Sequence, residues 1–413
     1  MIGRLRAAVA GSALGTRVHH ALRDVREARA VGTTRVGSAE RRLLIAPVNS
    51  AGQAYAWARA AERSSGVAAA NFAYRDPGDV FGYPADHRVP TALFRTNTRW
   101  QRAQRRAVER RFTHVIVESG RQILGGEGSP ADQIADLQSR GIAVALLFHG
   151  SDIRTPSVHA ERERDSPFRD GRYADTARLE EIAARNHELI ARTGAPVLVS
   201  TPDLLEHVPQ ATWLPVVVDV ELWGRATSDP PLKRERPVVV HAPSNAGLKG
   251  SDLIGETLRG LDADGLLEYR ELRGIPAADM PAHYGAADIV LDQFSLGIYG
   301  VAACEAMAAG RLVISHVSES TRAEVRDRTG LELPILETRA ESLAATLRGV
   351  IADRGGSAAF AARGPSFVAA VHGGEQSARV LGGFLGLSTE SAQDPAWENG
   401  RMPKTRRSAG ERP

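Results

Sequence analysis

The stretch GIYGVAACEAMAAGRLVI (297–314) holds one carboxylate, Glu305, among glycines, alanines and a β-branched run. It reads as loop, helix, turn and strand. Gly297 and Gly300 let backbone approach a ligand closely, and N–H groups at the helix start attract an anion. Alanines at 302, 303, 306, 308 and 309 permit tight packing on a sheet, with Gly310 as the residue after the helix. In that setting Glu305 could accept two O–H bonds from a vicinal diol. A first-turn glutamate stabilised by the helix dipole explains the same spacing equally well. The neighbouring Cys304 reads as a small buried hydrophobe.

A second segment, HAPSNAGLKGSDLI (241–254), follows one strand and opens a helix. It lacks the G-x-x-x-x-G-K-[ST] spacing of a P-loop. Lysine occurs only at 233, 249 and 404; every other basic side chain of that size is arginine. Lys249 alone sits in a strand-to-helix turn, where a compact ammonium can meet a diphosphate. The competing reading is a solvated helix-start lysine.

The third segment, FHGSDIR (148–154), again follows an apolar run, and places His149, Gly150, Asp152 and Arg154 on one rim. A histidine there can orient a hydroxyl or polarise a sugar oxygen, or be satisfied by backbone. APVNSAGQ (46–53) is the matching loop after the first strand. Its Asn49, Ser50, Gly52 and Gln53 stand at a helix start, with serine as the expected N-cap. Three further features carry less. DAD at 262–264 resembles a turn after a helix, RWQRAQRRAVERR (99–111) a solvated helix face, and LGGEGSP (124–130) a simple turn.

Several apolar, β-rich runs must position these loops: 42–47, 66–74, 113–119, 142–150 and 196–201, then 237–242, 287–294 and 311–315. Runs apolar on both faces, alternating with helical stretches, predict parallel sheets covered on both sides. The chain's 413 residues exceed one ordinary core. The expected organisation is an N-terminal helical leader (1–38), a first Rossmann-like domain (39–220) and a proline-rich charged surface linker (221–236). A second such domain (237–365), one closing helix (366–387) and a disordered polar tail (388–413) follow. Ligands then belong at the carboxyl ends of the strands, in the cleft between the units.

Composition narrows the partners. A net charge of +3 without blocks of like charge argues against nucleic acid. One cysteine excludes an intrachain disulfide and a cysteine-based metal site, and suits a reducing cytoplasm. No apolar run reaches the length of a membrane span. The basic N-terminal stretch leaves a helix lying on the inner membrane face as an open reading. Heavy arginine and alanine usage points to a GC-rich bacterial genome.

Together these segments resemble a GT-B glycosyltransferase, specifically the retaining family GT4 (glycosyltransferase group 1). The resemblance spans roughly 42–387 and is strongest from 237 to 315. GIYGVAACEAMAAGRLVI is similar to the family's E-x7-E region, which puts Glu305 at the acidic position that holds the nucleotide ribose. HAPSNAGLKGSD resembles the donor-diphosphate loop, with Ser244, Asn245 and Lys249 in it. FHGSDIR resembles the loop that reaches the transferred sugar, with His149 at its histidine. The resemblance implies two Rossmann-like domains facing a cleft, a C-terminal helix crossing back to the first domain, and transfer from a nucleotide diphosphate-sugar with retention. It implies neither cofactor nor metal, since Lys249 and backbone dipoles carry the charge.

Two departures stand out. The first acidic position of E-x7-E is Gly297, leaving the backbone of Ile298, Tyr299 and Gly300 to meet the donor sugar. The arginine that accompanies the lysine is also absent. A nucleotide-sugar-binding accessory protein without turnover, or a nucleotide-sugar epimerase, therefore stays open. A nicotinamide oxidoreductase is disfavoured, because neither half has G-x-G-x-x-G after a strand.

Overall fold

Seven strands form the first sheet in a computed structural model that describes residues 13–387 apart from 77, 127, 227 and 228. They are β1 (Arg41–Ala46), β2 (Val67–Arg75), β3 (His87–Pro90), β4 (His114–Glu118), β5 (Ala143–Phe148), β6 (Val197–Val199) and β7 (Thr212–Trp213). Their order is β3-β2-β1-β4-β5-β6-β7, and every pairing is parallel. The second sheet holds β8 (Val238–His241), β9 (Glu268–Glu271), β10 (Ile289–Leu291), β11 (Leu312–Ser315) and β12 (Leu336–Glu337), in the order β12-β11-β10-β8-β9. It too is parallel throughout.

Both-face burial explains which segments became central strands. Leu43, Leu44 and Ile45 in β1, Ala145, Leu146 and Leu147 in β5, and Val239 and Ile289 in β8 and β10 are fully shielded from solvent. The strands that the sequence reading misses are short or lie at sheet edges. β9, EYRE, tolerates its charged residues because it lies at the sheet edge, paired only with β8 and partly exposed.

In each sheet the strand order reverses beside the first strand: between β1 and β4, and between β8 and β10. Such switch points open a crevice beyond the carboxyl ends of the strands. The loops after β1, β4 and β5 meet at the first crevice, those after β8 and β10 at the second.

The helices that matter for the site are α1 (Ala13–Val31), α2 (Gln53–Ala61), α3 (Thr98–Arg111), α4 (Pro156–Arg162), α5 (Ala246–Lys249), α6 (Ser251–Ala263), α7 (Val301–Ala308), α8 (Gly364–His372) and α9 (Glu375–Phe384). α1 packs on α3, whose Trp100 is buried with its indole N–H donating to Gly32 O at 2.7 Å. The basic run 99–111 is thus solvated on one face only. Residues 1–12 and the tail 388–413 lie outside the described residues. No described helix is long and apolar enough to cross a membrane.

One expectation needs correction. The closing segment is two helices, because Gly374 takes φ 99° and breaks the run. α8 packs on α7 of the second half and α9 on α2 of the first, so the chain does cross back. His372, at the break, bonds Val216 O through Nδ1 (2.9 Å) and Tyr299 Oη through Nε2 (3.3 Å). The stretch 221–236 runs mostly exposed and is anchored to the second half at a few points. Leu232 is buried, and Asp288 accepts from Leu232 N (2.7 Å) and from Arg234 (2.8 Å).

Candidate active site

An acid at the end of a neighbouring strand organises each crevice. In the first half it is Glu118, the last residue of β4 and fully buried. Its carboxylate accepts from Val48 N (2.7 Å) and Asn49 N (2.9 Å) in the loop after β1, and from His149 Nε2 (3.0 Å) after β5. A buried carboxylate is tolerable because these donors surround it. With Nε2–H committed to Glu118, the other ring nitrogen of His149 makes no hydrogen bond to a described residue. The ring stacks on Trp57 at 5.8 Å and 17°. Burial works against a charged imidazole, yet the hydrogen bond and charge of Glu118, with Asp152, hold the pKa of His149 above its ordinary value.

In the second half the acid is Asp292, one residue past β10. Its Oδ1 accepts from Lys249 Nζ at 2.5 Å and its Oδ2 faces Gly300 N at 3.4 Å. It therefore ties the turn after β8 to the loop that starts α7. Gly250, with φ 69°, closes that turn so tightly that a Cβ there would lie 2.3 Å from Ser295 Oγ.

Glu305 is half-buried on α7, and its carboxyl accepts no hydrogen bond from any described residue. Burial pushes its pKa up to about 8, opposed by the charge of Lys249 and reinforced by that of Asp292. An acid without a protein donor is an acceptor in need of a partner. Tyr83, from the loop between β2 and β3, packs on the first half near enough to Glu305 to feel its charge. Its ring lies 3.0 Å from where a Cβ on Gly52 would stand. Its own pKa is raised to about 12 by burial and then by Glu305. The same loop bonds the second half directly, through Ala277 N to Phe81 O at 2.9 Å.

No family model and no curated protein matches the chain by sequence. Solved structures match in shape. A sucrose-phosphate synthase from Thermosynechococcus elongatus, 16% identical, aligns over 83% of this chain and 97% of its own, with a TM-score of 0.50. Anabaena HepE in complex with UDP and glucose, 12% identical, aligns over 84% and 99% with a TM-score of 0.54. A glycosyltransferase from Rickettsia africae, 11% identical, aligns over 86% and 100% with a TM-score of 0.53. The fold is GT-B.

On the GT-B frame the residues singled out in the sequence separate into two kinds. Lys249, Glu305 and Gly300 come together around Asp292, and His149 joins the loop after β1 through Glu118. Others shape the loops. Asn49 donates to Pro84 O (2.8 Å) and accepts from Tyr55 N (3.1 Å). Ser50 opens a short 3-10 turn rather than capping α2, which starts from Gly52 at φ 75°. Gln53 bonds Val217 backbone in both directions. Asp152 caps His149 N and Gly150 N and accepts from Ser119 Oγ (2.6 Å). Asn245 caps α5 and donates to Tyr173 Oη (3.0 Å), beside exposed Ser244.

Tyr299 is buried with its hydroxyl on His372, while Gly297 O accepts from Ser318 N (2.8 Å) and Ile298 O from the Gln293 amide. Arg154 is buried against Asp203. DAD 262–264 ends α6, with Asp262 paired to Arg236. Glu118 and Asp292, the two organising acids, were missed in the sequence. Their one signal is an acid directly closing an apolar strand.

Proposed function

We propose that the chain is a retaining glycosyltransferase that takes a sugar from a nucleotide diphosphate donor without a metal or other cofactor. The observation that carries this reading is the unpaired Glu305 carboxyl beside the Lys249–Asp292 pair, at the switch point of the second sheet. Glu305 accepts the two ribose hydroxyls. Lys249 and the N–H groups of Ile298 and Tyr299 stabilise charge on the leaving diphosphate. The UDP complex of HepE on the same fold supports a nucleoside diphosphate as the ligand.

His149, oriented by Glu118, presents its free ring nitrogen to a sugar hydroxyl. The C1–O bond to the diphosphate breaks, and the acceptor oxygen bonds C1 from the same face. The acceptor proton passes to the departing phosphate oxygen, so no protein nucleophile is required. Tyr83 and its loop exclude water, the competing acceptor.

Incubation with α-linked UDP-, GDP- and ADP-sugars, followed by proton NMR of any released sugar, tests this. Initial release of the α anomer is expected. Release of the β anomer contradicts retention, and no turnover with any donor or acceptor contradicts transfer.

A further inference from the structure

A cavity of about 260 Å³ lies between the two halves, lined among others by Arg154, His159, Glu163, Asp203, Leu296 and Ser318. Among the described residues, three polar atoms of this lining have no hydrogen-bond partner. Arg154 is 3% exposed and its guanidinium holds Asp203 Oδ2 at 2.5 Å, yet Arg154 Nε and Asp203 Oδ1 are both buried without a hydrogen bond. Unsatisfied buried groups of this kind call for a ligand or water. Glu163 uses Oε2 to accept from His316 Nε2 (2.9 Å). Its Oε1 makes no hydrogen bond to a described residue and stands 2.9 Å from where a Cβ on Gly297 would be.

We propose that this cavity binds a neutral polyhydroxylated ring, with Glu163 of the first half supplying the carboxylate that Gly297 lacks and Arg154 and Asp203 completing the hydrogen bonds. Sugar hydroxyls both donate and accept, which matches an unpaired donor set between two unpaired acceptors. An anionic ligand fits poorly. The charges of the lining are already paired, Arg154 with Asp203, Arg162 with Glu206, and Glu163 with His316 and Arg339, which leaves no surplus cation for an anion. Burial, then Arg154, holds His159 down to about 4 and His207 to about 3, so neither adds positive charge at neutral pH. Leu296 places the cavity beside the 297–300 loop. Gly297 is required because a side chain there would collide with Glu163 and Ser318. The assignment rests on reading the cleft as a sugar-transfer site.

Titration calorimetry on the full chain tests it, with Glu163→Gln and Asp203→Asn beside the wild type. Glu163→Gln keeps the shape and a bond to His316; Asp203→Asn is read only if its melting curve stays cooperative. The probes are UDP, GDP and ADP, their glucose or mannose conjugates, and methyl α-glucoside and sucrose added with the nucleotide. The expected result is a tenfold or larger loss of sugar-dependent affinity in Glu163→Gln, with nucleotide affinity within twofold of wild type. Loss confined to the nucleotide-sugars places the donor's ring in the cavity; loss confined to the glycosides places the acceptor's there. Unchanged sugar affinity in folded Glu163→Gln, or no gain over bare nucleotide from any sugar probe in the wild type, overturns the assignment. Absence of nucleotide binding in the wild type contradicts the transferase reading as well.

Discussion

Lys249 Nζ lies 2.5 Å from Asp292 Oδ1, across the switch point of the second sheet. The lysine is held ready rather than free, because the same carboxylate also meets Gly300 N. Lys249→Ala is expected to remove about 1.5–3 kcal/mol of transition-state stabilisation, the range for a charge-assisted hydrogen bond. That is roughly a tenfold to 150-fold drop in rate. Single-turnover kinetics with a verified donor check it, and an unchanged rate removes Lys249 from the chemistry.

Glu305→Gln keeps one acceptor oxygen but cannot ionise to present two when a diol binds. Nucleotide affinity is expected to fall by about 1 kcal/mol, roughly fivefold, with folding intact. The variant also has a pH signature. Because the folded pKa is about 8, above the ordinary 4.5, the wild type loses stability relative to Glu305→Gln as pH rises from 4.5 through 8. Urea melts across that window measure the difference; a flat difference shows that the carboxyl is not held protonated.

Glu118→Gln keeps the shape of the first crevice but removes its charge. With burial then opposed mainly by Asp152, the pKa of His149 is expected to fall. NMR titration of the ring nitrogens reads this directly, and the alkaline-to-acid profile of turnover should move with it. A His149 titration identical in both proteins means that Glu118 does not set its charge.

His316 bonds Glu163 of the first half and Glu337 beside it, and these carboxylates overcome burial to raise its pKa to about 9. A raised histidine contributes stability fully below its ordinary 6.5 and loses it as pH climbs through 9. The stability gap between wild type and His316→Gln should therefore narrow from pH 6.5 to 10. A constant gap contradicts a charged contact between the halves.

Much of this was legible before any coordinates. The central strands declare themselves because residues such as Leu43 to Ile45 are apolar on both faces. β9 and β12 do not, since an edge strand needs only half that covering. Lys249 and His149 stand out because they follow such strands in glycine-containing segments, and Glu305 because it is the one acid among the alanines of α7. Their partners were hidden for a different reason. Glu118 closes THVIVE and Asp292 follows ADIVL, but what each grips depends on strand order, which no local pattern encodes. Glu163 lies in the charged run ERERD and faces Gly297 only once the halves come together. The closing segment keeps its helical apolar spacing across Gly373 and Gly374, so the pattern does not show the break that Gly374 makes with its left-handed backbone.

The most direct test is a thermal-shift and calorimetric titration with UDP, GDP, ADP and dTDP against wild type, Lys249→Ala and Glu305→Gln. One nucleotide is expected to stabilise the wild type by about 2.7 kcal/mol at a hundredfold excess over its Kd, with both variants weakened. If no nucleotide binds, or one binds all three proteins equally, Glu305 and Lys249 do not form a donor site and the account fails.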